Sequence, residues 1–225
     1  MPTIAVIGAG PGLGLSIAKR FGREGFAVGL VSRTQEHLDA LAAELVASGV
    51  EAAGFAADVT DAAALGKAVE QITERFGPIA VLSFSPSAPD NTDLRPVAIT
   101  EVTLAAVQPQ LAFYLGGGLA AAQQVLPAMT GRGAGTILFT TGGSSADPGM
   151  MPAFGSIAIG AGALRTYALS MHAAVADLGV YVAHIPLSVW IGHGGPETQP
   201  DTIAEHYWNV HTARQGAEHP YVALP

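Results

Sequence analysis

Apolar residues along this chain fall into short unbroken runs, separated by longer stretches in which they recur every three or four positions. The runs TIAVI, ILFTT and VYVAHI do not alternate with polar residues, which is the pattern of strands covered on both faces. This reading predicts strands over 3–7, 26–31, 51–57, 79–84, 135–140 and 180–185, and helices near 13–24, 35–48, 61–76, 101–130 and 156–177. Strands that alternate with helices join through right-handed crossovers into a parallel sheet. The expected fold class is α/β, a Rossmann-type doubly wound parallel sheet of about six strands in the order 3-2-1-4-5-6 with helices on both faces. A chain of 225 residues is expected to form one domain, 1–225, rather than two. The segment 187–225 breaks the pattern with Trp190, Tyr207, Trp208, His193, His206, His211 and His219, and with a short helical pattern near 200–215. It follows the carboxyl end of the last predicted strand, where open α/β sheets bind ligands, and reads as a substrate lid and tail.

Composition narrows the function classes. Hydrophobic residues make up 49% of the chain and charged residues 12%, so much of it belongs in a core or an interface. No apolar run reaches the length of a membrane span without glycine interruptions. The net charge is −8 and the ten Lys and Arg are scattered, so no basic stripe is present to neutralise phosphates, which argues against nucleic-acid binding. The absence of cysteine excludes disulfides, thiol catalysis and thiolate metal sites. With no basic segment ahead of the first strand, a cytoplasmic location is expected.

The first predicted strand runs directly into Gly8-Ala9-Gly10-Pro11-Gly12-Leu13-Gly14 and then into an amphipathic helix. Glycines let the backbone turn sharply and approach a pyrophosphate, and the helix N-terminus offers free N–H groups. The reading is a dinucleotide site; the alternative is a tight turn without ligand. An NAD site places an acidic residue at the end of the second strand. Here that position holds Ser32 and Arg33, and a guanidinium suits a 2′-phosphate, so NADP(H) is favoured over NAD(H) unless Arg33 is only a surface loop residue. Asp58 beside Val59 either accepts the adenine amino group or caps the helix that begins near Asp61.

These residues carry a family resemblance. Gly8, Gly12 and Gly14 resemble the GxxxGxG of the short-chain dehydrogenase/reductase family, and Asp58-Val59 resembles its adenine pair. Leu126-Pro127-Ala128-Met129 and the stretch AGALRTYALSMHAAVADLGVYV are similar to its long helix and to the helix and strand around its catalytic motif, over roughly residues 3–191. The resemblance implies further cofactor contacts at Ser85, Pro186 and Val189. It also implies a catalytic tetrad of Asn, Ser, Tyr and Lys. The only lysines are Lys19 and Lys67, and no tyrosine has a lysine four residues on. Matching by flanks puts Ile157 at the tyrosine position, Ala161 at the lysine position and Tyr114 near the asparagine position. Ser144 falls near the catalytic serine, or is a turn residue. The family's closing strand is expected to be missing.

Ser144 is the candidate for the serine that orients the carbonyl, and the candidate proton donors are Tyr114 and Tyr207, the latter paired with His211 one helical turn on, unless that face is only aromatic packing. His184, inside an apolar strand, reads as a satisfied core histidine. No metal site is expected. Gly116-Gly117-Gly118 gives a smooth helix face, for a homodimer or homotetramer in the family or for close packing inside one chain. Three functions remain open. One is an atypical NADPH-dependent reductase of a small-molecule carbonyl or imine. The others are an NADP-binding protein without redox turnover and a non-redox enzyme on the same fold.

Overall fold

The computed structural model describes residues 1–87 and 90–224. Its centre is a parallel sheet of seven strands in the order β3-β2-β1-β4-β5-β6-β7. The strands are β1 (Thr3–Ile7), β2 (Ala27–Ser32), β3 (Ala52–Ala56), β4 (Ile79–Phe84), β5 (Gly135–Gly142), β6 (Val180–Val189) and β7 (Tyr221–Ala223). The expected order holds for the first six. The expectation that the closing strand is missing is corrected, because β7 pairs in parallel with β6 from Leu187 to Val189. Three residues with mixed exposure carry no period-2 signal, and their strand character comes from the neighbouring strand's ladder.

Every residue of β1 is buried, as the unbroken apolar run requires. One face of the sheet is covered by α1 (Leu13–Arg23), α2 (Gln35–Ala47) and α7 (Pro200–Ala213). The other is covered by α3 (Ala62–Phe76), α5 (Gly117–Arg132) and α6 (Gly155–Val175). Each face has its own core cluster, one holding Phe21, Leu30 and Tyr207, the other Phe84, Phe139 and Leu164. Asp61 caps α3, accepting from the N–H groups of Ala63 and Ala64.

The long helix expected over 101–130 is found as α4 (Leu104–Leu111) and α5, joined by a single wide π turn at Ala112–Gly116. Pro109 lies inside α4, where it removes a backbone donor and crowds the preceding turn. The smooth glycine face is used within the chain. A Cβ on Gly117 would stand 3.0 Å from Val59 O, and one on Gly118 would stand 2.5 Å from Leu164 Cδ1.

The lid reading of 187–225 is corrected in part. Helix α7 is a structural layer packed against α1, with Ser16 Oγ donating to Asp201 Oδ1 at 2.6 Å and Arg20 Nε donating to Glu205 Oε2 at 2.7 Å. Its apolar positions Ile203, Tyr207 and Val210 face the core, and that burial defeats the idea of a movable cover. Pro225 lies outside the described residues. No helix among the described residues is long and apolar enough to cross a membrane.

Candidate active site

The glycine turn is held by contacts that only glycine permits. Gly8 has φ +95, and a Cβ there would stand 2.5 Å from Ser85 O. A Cβ on Gly14 would stand 2.8 Å from Gly8 O. The N–H groups of Gly8 and Ala9 both donate to Val31 O, tying the turn to β2. Gly10 and Gly12 differ, because a Cβ on either would meet nothing within 4 Å. Leu15 and Ser16 donate to Gly10 O and Gly12 O, while the N–H groups of Gly12, Leu13 and Gly14 have no backbone acceptor among the described residues. An open floor at the N-terminus of α1, with unsatisfied donors, fits a pyrophosphate.

This turn floors a cleft of about 560 Å³ at the carboxyl ends of the strands. The expected cofactor residues Gly8, Gly10, Gly12, Leu13 and Gly14 all line it. Ser32, Arg33, Ser85 and Val189 line it as well. Asp58 and Val59 line a smaller adjoining pocket of about 70 Å³, which shares Ser32 and Arg33 with the cleft. Asp58 does not cap α3. Its Oδ1 accepts from Thr60 N at 2.8 Å and Thr60 Oγ1 at 2.7 Å. The Thr60 backbone bond, with smaller help from the Arg33 charge, holds its carboxyl below the usual carboxylate range. Arg33 belongs to none of the ion pairs among the described residues.

One cofactor expectation is corrected. Pro186 is buried and does not line the cleft; Leu187 does. Strand β6 runs on to Val189, so Leu187 and Val189 lie nearer its carboxyl end, where the cleft is, and Pro186 is buried within the strand.

The catalytic candidates separate. Tyr114 lines the cleft from the middle of the π turn, with burial pushing its phenol pKa up. Ser144 is buried after β5, its Oγ makes no hydrogen bond among the described residues, and that Oγ would stand 4.0 Å from a Cβ on cleft-lining Gly142. Tyr207 is corrected. It is fully buried between the sheet and α1, and its hydroxyl shares a 2.7 Å hydrogen bond with Thr140 Oγ1. It touches the cleft only through Thr140, which lines it from the other side. His211 bonds Thr136 Oγ1 at 3.0 Å within the same layer, and burial followed by Arg214 pushes its pKa down to about 4. Tyr207 and His211 do stack one turn apart, but their shared face meets the core. Ile157 is half-buried on α6 and Ala161 is fully buried there, and neither lines the cleft.

The sequence reading gave no site role to Thr140, Thr141, Leu187 or Ile191, all of which line the cleft. Two hydroxyls at a strand's carboxyl end, just before Gly142-Gly143, were the available signal for the threonines.

Fold and cleft together define a doubly wound α/β protein with a glycine-floored cleft at the carboxyl ends of its strands. The chain matches the short chain dehydrogenase family over residues 2–189 and belongs to that family of oxidoreductases. Over 142 residues it is 36% identical to a Streptomyces coelicolor protein named as a ketoacyl reductase, an alignment covering 61% of this chain and 52% of that protein. The chain thus spans about half the length of that relative. Among solved structures, a short-chain dehydrogenase from Rhodopseudomonas palustris is 27% identical with a TM-score of 0.79, covering 100% of this chain and 98% of that one. L-sorbose reductase from Gluconobacter frateurii, complexed with NADPH and L-sorbose, shares the fold at 19% identity and a TM-score of 0.84, covering 99% of this chain and 94% of that one.

Proposed function

We propose that this chain is an NADP(H)-dependent oxidoreductase with a non-standard active site, acting on a carbonyl or imine group of a small molecule. The observation that carries the reading is the open glycine floor with its free N–H groups, continuous with a pocket edged by Arg33. The N–H groups of Gly12, Leu13 and Gly14 bind the pyrophosphate. Arg33 pairs with the 2′-phosphate, and Ser32 offers a hydroxyl beside it. Asp58 accepts the adenine amino group while Val59 packs on the ring. Ser85 and Val189 flank the groove towards the reacting end. Bound there, the nicotinamide supplies hydride transfer. Tyr114 and Ser144 stand nearest the family's polar positions, and Ile157 and Ala161 can neither transfer a proton nor stabilise an oxyanion. We place the protein in the cytoplasm as a single-domain homodimer or homotetramer, with Leu187, Val189 and Ile191 edging the cleft beside the substrate.

Calorimetric titration with NADPH and NADH tests this. NADPH is expected to bind more tightly by about 10- to 150-fold, a charge-assisted contact of roughly 1.5–3 kcal/mol, and Arg33→Ala is expected to erase the difference. Equal affinities in the unaltered protein would remove Arg33 as the selector. A second reading, binding without turnover, is favoured by the apolar Ile157 and Ala161 and by the raised phenol pKa of Tyr114. Tight NADPH binding with no oxidation of it in the presence of varied aldehydes, ketones and imines would select that reading.

A further inference from the structure

A chain of polar side chains runs inward from the cleft wall, and none of the roles above uses it. Thr141, at the carboxyl end of β5, lines the cleft. Its Oγ1 lies 2.8 Å from His184 Nε2 and 2.6 Å from Ser145 Oγ. His184 is fully buried on β6, with Nδ1 2.9 Å from Glu218 Oε1. Glu218 also accepts from Arg165 Nε at 2.6 Å and Arg165 Nη2 at 2.9 Å.

Donor chemistry fixes the direction of this chain. Arginine only donates, so Glu218 is an ionised acceptor, and the Arg165 bonds hold its pKa down at about 2. The proton on His184 then sits at Nδ1 and points at Glu218, which leaves Nε2 as an acceptor. The group facing Nε2 is the Thr141 hydroxyl, whose 2.8 Å contact with Nε2 is shorter than its 3.3 Å contact with Gly142 O, so the Thr141 proton points inward and Ser145 donates to Thr141. A hydroxyl, an imidazole and a carboxylate in this order form the arrangement that draws a proton from an alcohol.

The backbone places each member. The chain bridges onto β6, with His184 N donating to Ala217 O at 2.8 Å and His219 N donating to His184 O at 2.9 Å. Glu218 is thereby delivered beside His184. Arg165 lies on α6 four residues beyond Ala161 and eight beyond Ile157, so it shares their face of the helix. The cation that the resemblance places at 161 thus stands one turn further along the helix. A histidine that only needed satisfying would not require a cleft-lining threonine at one end and a clamped carboxylate at the other.

We propose that Thr141 is the acid–base residue of this cleft, with His184 as the store for its proton and Glu218 and Arg165 as positioning residues. This rests on the oxidoreductase reading. In the alcohol-to-carbonyl direction the substrate O–H bond breaks and its proton joins Thr141 Oγ1. Thr141's own proton moves to His184 Nε2, and Glu218 offsets the imidazolium. In the carbonyl-to-alcohol direction the same protons move back, ending on the substrate oxygen. The proton count closes within these groups, and the accompanying hydride is what the nicotinamide supplies. The groups facing His184 are Glu218 from the bridging segment, Arg165 from α6, and Thr141 from β5 with Ser145 behind it. Burial lowers the His184 pKa and Glu218 opposes that shift.

The test pairs nitrogen-15 NMR of the His184 ring in the ligand-free protein with kinetics of Thr141→Val, Thr141→Ser, Glu218→Gln and Tyr114→Phe. The expected ring carries its proton on Nδ1, and Glu218→Gln lowers its pKa. Thr141→Val is expected to lower kcat by about 10²–10⁴-fold with NADPH affinity retained, and Thr141→Ser to restore most of it. Glu218→Gln should displace the acid limb of the rate profile, an effect that loss of packing alone does not produce. A proton on Nε2 would overturn the proposal, as would undiminished turnover in Thr141→Val. So would a Tyr114→Phe variant that is inactive while Thr141→Val is active. Failure of the unaltered protein to bind NADPH or NADH would instead sink the oxidoreductase reading, and this proposal with it.

Discussion

A methyl group on Gly12 would meet no protein atom within 4 Å, whereas one on Gly8 would stand 2.5 Å from Ser85 O. The two glycines therefore serve different ends, one leaving room for a ligand and the other permitting the turn. Gly12→Val is expected to fold with an unchanged melting temperature and to lose NADPH binding in calorimetry, because its side chain fills the floor of the cleft. Normal NADPH binding by a folded Gly12→Val protein would put the phosphate site elsewhere. At this scale the sequence was legible where the candidate site is contiguous in the chain. The glycine turn, Arg33 and Asp58-Val59 each sit at a strand end that hydrophobic patterning locates. The polar chain from Thr141 inward was illegible, because its links join positions 43, 34 and 53 apart. His184 read as a core histidine, and its burial bears that out; the bonds at its two ring nitrogens could not be read from an apolar strand.

Helix α6 carries apolar side chains at the two positions where the family resemblance implies a tyrosine and a lysine. Ile157 and Ala161 stand one turn apart, and Ala161 is fully buried. The double variant Ile157→Tyr with Ala161→Lys is expected to destabilise the protein by about 1–3 kcal/mol through overpacking. For a chain of this size each kcal/mol lowers the melting temperature by about 2–4 °C, which calorimetry resolves. If the lost pair were the whole deficit, carbonyl reduction should rise by about 10²–10⁴-fold despite that cost. A stable double variant that binds NADPH without any gain would show that the reacting end of the cleft has been rebuilt around other groups. Helix positions were legible from the 3.6 period, yet the π turn was not. Pro109 marks a disturbance in the pattern, but whether a helix answers it with a kink, a break or a wide turn depends on what packs beneath. Helix α7 was likewise found near its expected place, and its assignment to a cover failed because hydrophobic spacing shows which face is buried and not against what.

At the scale of the molecule, burial of imidazoles makes stability depend on acid. Burial lowers the pKa values of His184, His206 and His211, the last to about 4. Their pKa values in the folded state lie below those in the unfolded chain, so between about pH 6.5 and 4 the unfolded chain holds more protons. Stability from these groups is therefore complete above about pH 6.5 and falls as the pH drops towards 4. Glu218, with a pKa of about 2, adds stability present above about pH 4.5 and lost as the pH falls through 2. Denaturant titrations across this range are expected to show the unfolding free energy falling from pH 7 to pH 4. His211→Leu should flatten that slope by about 1–3 kcal/mol over the interval, and a slope unchanged in the variant would assign the acid sensitivity to other groups. The order of the first six strands was legible because crossover rules leave few alternatives. The seventh strand was not, since a three-residue edge takes its structure from its neighbour.

The pairing of α1 with α7 has a consequence for how the molecule forms. Ser16 and Asp201, and Arg20 and Glu205, meet across 185 positions of chain. Phe21 and Phe26, which pack against Trp208 and His211, lose that cover until α7 arrives. A growing chain thus completes its first crossover early and carries an uncovered aromatic patch until α7 has been made. Contacts so far apart in sequence make folding slow relative to stability. Refolding from denaturant is therefore expected to pass through a sticky intermediate, whose losses grow with protein concentration and which is relieved only when the late helix docks.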